Sequence, residues 1–326
     1  MSEMQNIIEP VEREAIMSEL TKERFFRKTN KGGNEIYIVT AHNAPNTMRE
    51  IGRLREMSFR DSGGGTGKDC DIDEFDTCTE NFFSQLVVWN PIDKAITGGY
   101  RFLMCDKLPV DEHFQVSTPT SELFHYSEKF TKEYLPYTIE LGRSFVQPDY
   151  QPSRSMSKGI YSLENRWDGL ASEIFINPQA KYFFGKVTMY PQLDRLSRDM
   201  ILYFIKKHFP DHEGLVSPQP QLNLPILADE SELDKLFVAD TDTENYEILS
   251  KEVRQRGASV PPLVKAYFNL SPTIRSFGTA LNPGFGNVEE TGLMVTIEDI
   301  YPEKLERHTT FDADEQPLHL TDNTSL

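Results

Sequence analysis

The chain has 326 residues, 38% hydrophobic and 11% aromatic, enough to bury a sizeable core in one large domain or two modest ones. Its formal net charge of −17 works against nucleic acid as a partner, because neutralised phosphates drive that binding. Three cysteines, Cys70, Cys78 and Cys105, are too few and too unevenly spaced for a disulfide framework or a zinc site. No apolar run approaches the roughly 18–20 residues that span a bilayer. The opening stretch, MSEMQNIIEPVEREAIMSEL, is acidic and lacks the basic-then-apolar pattern of a signal peptide. The expected setting is the cytoplasm.

Residues 1–33 read as an N-terminal helical extension, a polar helix and the turn KTNKGGN. EIYIVTA (35–41) reads as a strand. NTMREIGRLREMSFR (46–60) reads as a helix opened by a capping box, Thr47 to Glu50, with Met48, Ile51 and Leu54 on one face. The following RDSGGGTGKDCDIDEFD (60–76) looks at first like a phosphate-binding glycine loop. The spacing fails: Ser62 stands where the first glycine belongs, and Asp69 replaces the metal-binding hydroxyl. A flexible loop that covers a substrate is the better expectation.

FFSQLVVWN and AITGGYRFLMC read as a hairpin turned at Asn90-Pro91-Ile92-Asp93. SELFHYSEKF reads as a short helix and YTIELGRSFVQP (137–148) as a strand closed by proline. SKGIYSLENRWDGLASEI spaces Ile160, Leu163, Trp167, Leu170 and Ile174 three and four apart, an amphipathic helix. KYFFGKVTM is a further strand and QLDRLSRDMILYFIKKHF a further helix. An acidic excursion at 210–260 follows, then the core-like PPLVKAYFNL and TGLMVTIEDI. The tail 309–326 reads as disordered and acidic. The expected architecture is mixed α/β, a central sheet with helices on both faces, spanning 34–308.

Residues 151–209 carry nine Lys/Arg against five Asp/Glu, whereas 287–326 carry two against ten. The first is therefore a candidate docking surface for an acidic or phosphorylated ligand, with an ordinary solvated face as the alternative. Four polar clusters interrupt the apolar elements. They are Arg53 and Arg55 with Phe59; Asp71, Asp73, Glu74 and Asp76; Arg101; and Glu140 with Arg143. Charges on core strands and helices need partners, so they form either a reaction site or a structural ion-pair network.

RLREMSF, DIDEFD, GGYRF and ELGRSFV, in that order, resemble the acyl-carrier-protein-dependent N-acyltransferases of the GNAT superfamily. That family makes N-acyl amino acids for ornithine and glycine lipids and often carries the label "putative hemolysin". PPLVKAYFNLS…GTALNPGFGNVEETGLMV resembles its closing segment, with a Lys-containing strand and an Asn-Pro-x-Phe turn. The resemblance covers roughly residues 35–300. Acyl-homoserine-lactone synthases share the skeleton at Arg55 and Phe59, Asp73 and Asp76, Arg101, and Glu140 with Arg143. Phe145 departs from the cysteine often found in the lipid-forming family.

The resemblance implies a GNAT-like fold and acyl transfer from a phosphopantetheine thioester to an amino-acid amine. Glu140 is the expected base, acting through a water, since a carboxylate on a largely apolar strand suits that work. Pairing with Arg143 as scaffold is its alternative role. Asp73 and Asp76, with Glu74, hold the substrate ammonium or order the loop. Arg55, Arg101 and Arg143 are each suited to grip the acceptor's carboxylate. Backbone N–H groups on ELGRSFV meet the oxyanion. The pantetheine phosphate is expected at QPSRSMSKGI, on Arg154, Ser155, Ser157, Lys158 and Gly159. Lys181, Lys186, Arg195 and Arg198 extend that basic surface. Trp167, Leu170, Phe183, Phe184 and Met189 line an acyl tunnel or belong to the core, and Tyr203 protonates the thiol or packs.

The implied donor is acyl carrier protein, with acyl-CoA as the alternative, and the acceptor is glycine or ornithine. The resemblance implies no metal and no permanently bound cofactor. It places the enzyme at the inner membrane only through its lipid product. The competing readings are a homoserine-lactone-type synthase, a CoA-dependent acetyltransferase, and a non-catalytic carrier-protein or lipid-binding module.

Overall fold

A computed structural model describes residues 4–151, 174 and 176–309. Its first stretch holds α1 (Arg13–Glu19), β1 (Phe25–Lys28), β2 (Glu35–Val39), α2 (Pro45–Asp61), α3 (Glu74–Thr77), β3 (Ser84–Asn90) and β4 (Ala95–Met104). Then come β5 (Phe124–Tyr126), β6 (Thr138–Val146) and β7 (Tyr182–Met189). The rest comprises α4 (Arg195–His208), β8 (Val216–Pro218), α5 (Glu230–Asp234), α6 (Asp242–Gln255), α7 (Pro262–Phe268), β9 (Arg275–Asn282), β10 (Val288–Thr296) and α8 (Pro302–Thr309). The fold is mixed α/β, with antiparallel strands flanked by helices. Among the described residues no helix is long and apolar enough to cross a membrane.

The chain divides into two compact units. One draws on Met1–Cys105, Ile139–Ala180 and Pro302–Leu326, the other on Asp106–Thr138 and Lys181–Tyr301. In the first, five strands run antiparallel in the order β1-β2-β3-β4-β6. The inner residues of β3 are buried without alternation, because both of its faces are covered. In the second, β10 lies antiparallel between β7 and β9, and β5 pairs with β8.

The helical period of residues 46–60 is realised in α2, with Met48, Ile51 and Leu54 buried. Its start differs from expectation. No Thr47–Glu50 box forms; the carboxylate of Glu19, at the end of α1, accepts the N–H groups of Asn46 (3.0 Å) and Thr47 (2.7 Å). A carboxylate from outside the helix thus satisfies its orphan donors. Glu50 instead accepts from Val11 N and binds Arg53.

Other local readings shift as well. The segment before residue 33 contains β1, which pairs with β2, beside its helix. SELFHYSEKF is not a helix: Phe124–Tyr126 form β5, because β8 supplies ladder partners from far along the chain. PPLVKAYFNL is a helix, α7, rather than a strand, and its Pro262 stands at the first helical position, where a missing N–H does no harm. The excursion at 210–260 is ordered as β8, α5 and α6, and Phe237, Leu249 and Val253 bury its apolar faces. The amphipathic helix read at 157–174 and the tail beyond residue 309 lie outside the described residues.

Candidate active site

Register builds the floor of the site in the first unit. Gln85 on β3 faces Arg101 on β4, which faces Gly142 on β6. One row on, Leu103 faces Glu140, so strand alternation puts Glu140 on the same face as Arg101. The Arg101 side chain lies over β6 at Gly142, its Nε 3.6 Å from where a β-carbon would stand, an ordinary van der Waals distance. Gln85, Arg101 and Glu140 are 1%, 1% and 2% exposed. A polar row this deep in a sheet requires dedicated partners.

Those partners come from α2 and from the loop carrying α3. Arg55, fully buried on α2, donates from Nη1 to Asp76 Oδ2 at 3.1 Å and from Nη2 to Gln85 Oε1. Gln85 returns a bond from Nε2 to Asp76 Oδ1 at 2.9 Å. Arg101 Nη1 lies 2.7 Å from Asp73 Oδ1 and 3.1 Å from Asp76 Oδ2, with its guanidinium 4.8 Å over the Phe83 ring. Asp73 caps α3, and Asp76 closes the reciprocal capping box, so the short helix fixes both carboxylates. Arg143 completes the ring, with Nε 2.9 Å from Asp71 Oδ2 and Nη2 3.7 Å from Asp73 Oδ2. Three guanidinium groups thereby face three carboxylates.

Burial pushes the Asp76 carboxyl upward, but Arg55 and Arg101 outweigh it and hold the group down at about 2. Burial pulls Arg101 down, yet the carboxylates of Asp76 and Asp73 leave it raised above its ordinary value. Arg55 is lowered, because burial outweighs the attraction of Asp76. Both guanidinium groups stay cationic, since their ordinary value lies above about 12. The depressed Asp76 value has a consequence for stability. The unfolded chain takes up this proton near pH 4 and the folded one only near pH 2. The contribution, about 2 kcal/mol, is therefore complete above pH 4 and disappears as pH falls towards 2. Urea midpoints measured between pH 5 and pH 2 should fall in the wild type, and the part due to this group should be missing in Asp76→Asn.

Exposure grades along the ring. The side chains of Arg55, Asp76 and Arg101 are at most 1% exposed, whereas Arg143 and Asp73 reach 17% and 22%. Arg143 also adopts φ +51°, a left-handed conformation unusual for a residue with a β-carbon. It sits at a bulge: between Gly99 and Arg101 the β4–β6 register slips, and Tyr100 opposes both Arg143 and Ser144. A strained residue held at the accessible end of a charged ring is a feature of functional sites.

The structure thus brings together Arg55, Asp73, Asp76, Arg101 and Arg143, with Glu140 on the same sheet face as Arg101. Phe59 is buried one turn beyond Arg55, and Glu74 is exposed in the first turn of α3. Arg154, Ser155, Ser157, Lys158 and Gly159, with Trp167 and Leu170, lie outside the described residues. Sequence reasoning overlooked Gln85, although an amide inside an otherwise apolar strand was a signal. The glycine loop is no loose cover. The buried carboxylate of Glu56 accepts Thr66 N, Thr66 Oγ1 and Gly67 N, and Gly63, Gly65 and Gly67 take the positive φ values of that tight path.

In the second unit, Lys186 donates to Thr120 Oγ1 at 2.6 Å, and Arg198 is buried against Glu289 and Asp199. Neither can extend an outward basic surface, whereas Lys181 and Arg195 are exposed. Phe183, Phe184 and Met189 are core residues. The Tyr203 hydroxyl donates to Asp234 at 2.9 Å; burial, then that carboxylate, pushes it up to about 12.

The fold is that of a GNAT-like mixed α/β protein, and residues 54–159 match the Acetyltransferase (GNAT) domain. The chain is 52% identical to the glycine N(alpha)-acyltransferase of Phocaeicola vulgatus over 305 residues, 94% of this chain and 93% of that protein. It is 53% identical over 305 residues to the glycine N(alpha)-acyltransferase of Bacteroides thetaiotaomicron, covering 94% of this chain and 90% of the relative. The chain belongs to the family of GNAT acyltransferases that these two represent.

Proposed function

We propose that the protein moves a long-chain 3-hydroxy fatty acyl group from acyl carrier protein to the α-amine of glycine, the first step towards an amino-acid lipid. The acceptor follows the names of the two relatives. The carrier protein and the chain follow the resemblance of RLREMSF, DIDEFD, GGYRF and ELGRSFV to the aminolipid-forming enzymes. One observation carries the acceptor side: of the three arginines suited to a carboxylate, Arg55 and Arg101 are sealed in the core, and Arg143 reaches the surface beside Asp73.

In this reading Arg143 receives the glycine carboxylate and Asp73 steadies the ammonium. Glu140 takes a proton from the ammonium through a water, leaving a nucleophilic amine. The nitrogen attacks the thioester carbonyl, and backbone N–H groups of β6 around the bulge meet the oxyanion. That attack forms the C–N bond, and collapse of the tetrahedral intermediate breaks the C–S bond. The nitrogen gives up its second proton to become the amide, and the departing pantetheine thiolate takes up a proton in its place. The phosphopantetheine arm is assigned to Arg154, Ser155, Ser157, Lys158 and Gly159, and the cytoplasmic face of the inner membrane is the proposed setting.

Purified protein mixed with 3-hydroxyacyl carrier protein, or the matching acyl-CoA, and glycine or ornithine tests the reading by product mass. Acylglycine from the carrier-protein donor is the expected product. Acylornithine alone would overturn the acceptor, and turnover with acyl-CoA alone would overturn the donor.

A further inference from the structure

Glu56 is fully buried, yet it stands outside the guanidinium–carboxylate ring. Its carboxylate fills the concavity of the glycine strap at 62–70, taking Thr66 N at 3.0 Å, Thr66 Oγ1 at 2.8 Å and Gly67 N at 2.8 Å. Arg60 Nε, 2.7 Å away, balances the charge. The backbone donors of this glycine-rich nest, a shape suited to phosphate, are thus satisfied by the protein's own anion. The same Arg60 reaches outward, from Nη1 to Gln5 O at 2.7 Å and from Nη2 to Lys68 O at 2.5 Å.

A second layer closes over the strap. The arm at 4–11 runs along it, with Gln5 N to Gly67 O at 2.9 Å, Asp69 N to Gln5 Oε1 at 3.0 Å and Ile8 N to Asp69 O at 3.1 Å. Val11 N ties the arm to Glu50 on α2 at 3.0 Å. The strap is therefore held from beneath by α2 and from outside by the arm, up to residue 69. Two residues later Asp71, 1% exposed, donates its N–H to Gly52 O at 3.0 Å, and its carboxylate accepts from Arg143 Nε at Oδ1, 3.3 Å away, with Oδ2 2.9 Å from the same nitrogen.

We propose that Glu56 and the arm clamp the strap so that Asp71 acts as a positioning residue, holding Arg143 in line with the acceptor's carboxylate. This rests on the acceptor role given to Arg143 above. The physical basis is leverage over a short path. Arg143 has a long, partly exposed side chain on a strained backbone, and the carboxylate of Asp71 restricts its Nε. Asp71 is fixed in turn by a loop that has little regular structure and relies on these tethers. Glu56 and the arm bond the strap and stand outside the guanidinium–carboxylate ring, so their influence should fall on acceptor binding rather than on the chemical step.

The double variant Gln5→Pro/Ile8→Pro in the full-length protein removes the two backbone donors by which the arm holds the strap, Gln5 N and Ile8 N, and the Gln5 side-chain acceptor, while leaving every buried side chain intact. With saturating acyl carrier protein, KM for the amino acid should rise about tenfold, matching about 1.4 kcal/mol of lost alignment. The kcat, the KM for the donor and the urea midpoint should stay within about twofold or unchanged. Asp71→Asn, which keeps shape and loses charge, should raise the acceptor KM in the same way, with a lowered urea midpoint because a buried carboxylate of the ring is lost. An unshifted acceptor KM in the proline variant overturns the clamp, even where Asp71→Asn alone shifts it. A parallel loss of kcat, both KM values and midpoint shows plain structural support and overturns it too. A wild type that acylates no amino acid removes the acceptor reading and this proposal together; an active wild type with an unaltered variant removes the clamp alone.

Discussion

Asp76→Asn is expected to cost the fold about 3–5 kcal/mol, read as a lowered urea midpoint by circular dichroism. The side chain keeps its shape, so cavity formation contributes nothing. What disappears is the one carboxylate that lies 3.1 Å from both Arg55 and Arg101, two guanidinium groups with no more than 1% exposure. Arg101 retains Asp73, but Arg55 is left with hydrogen bonds to the neutral Gln85 and the carbonyl of Asp71, and only the weaker attraction of the Asp71 carboxylate as counter-charge. An under-balanced buried cation is among the most destabilising features a mutation can create. A loss below about 1 kcal/mol would mean that water reaches the pair and that the ring is not a sealed network.

Glu140→Gln should show the opposite profile. Turnover is expected to fall by about 100- to 10,000-fold, the usual range for removing a general base, while the urea midpoint changes little. Glu140 lies on the same sheet face as Arg101, at 2% exposure, so an amide of equal size fits the same space. Loss of function without loss of fold separates a catalytic carboxylate from a scaffolding one. If turnover persists within about threefold of wild type, Glu140 is not the base; if the protein unfolds, its role is structural.

Periodicity explains what could be read beforehand. The three-residue spacing of Met48, Ile51 and Leu54 located α2, and the apolar runs around Val87, Tyr100 and Phe184 located three strands. The ring was visible as charged residues out of place in such runs, which is why Arg101 and Glu140 stood out. What stayed hidden depends on partners distant in sequence. Glu19 caps a helix that begins 26 residues later, β5 exists because of β8, and Glu56 closes a strap ten residues away. No local spacing encodes these. Gln85 belongs to both groups: its place inside an apolar strand was legible, and its bonds to Arg55 and Asp76 were not.

The central claim is that Arg143, at the accessible end of the ring, recognises the carboxylate of an amine acceptor. Comparing kcat/KM for glycine and for methylamine, an amine without the carboxylate, tests it most directly in wild type and Arg143→Ala. Wild type should favour glycine by about 10- to 100-fold, the worth of one charge-assisted pair, and the variant should lose most of this preference. An unchanged ratio in the variant would contradict it.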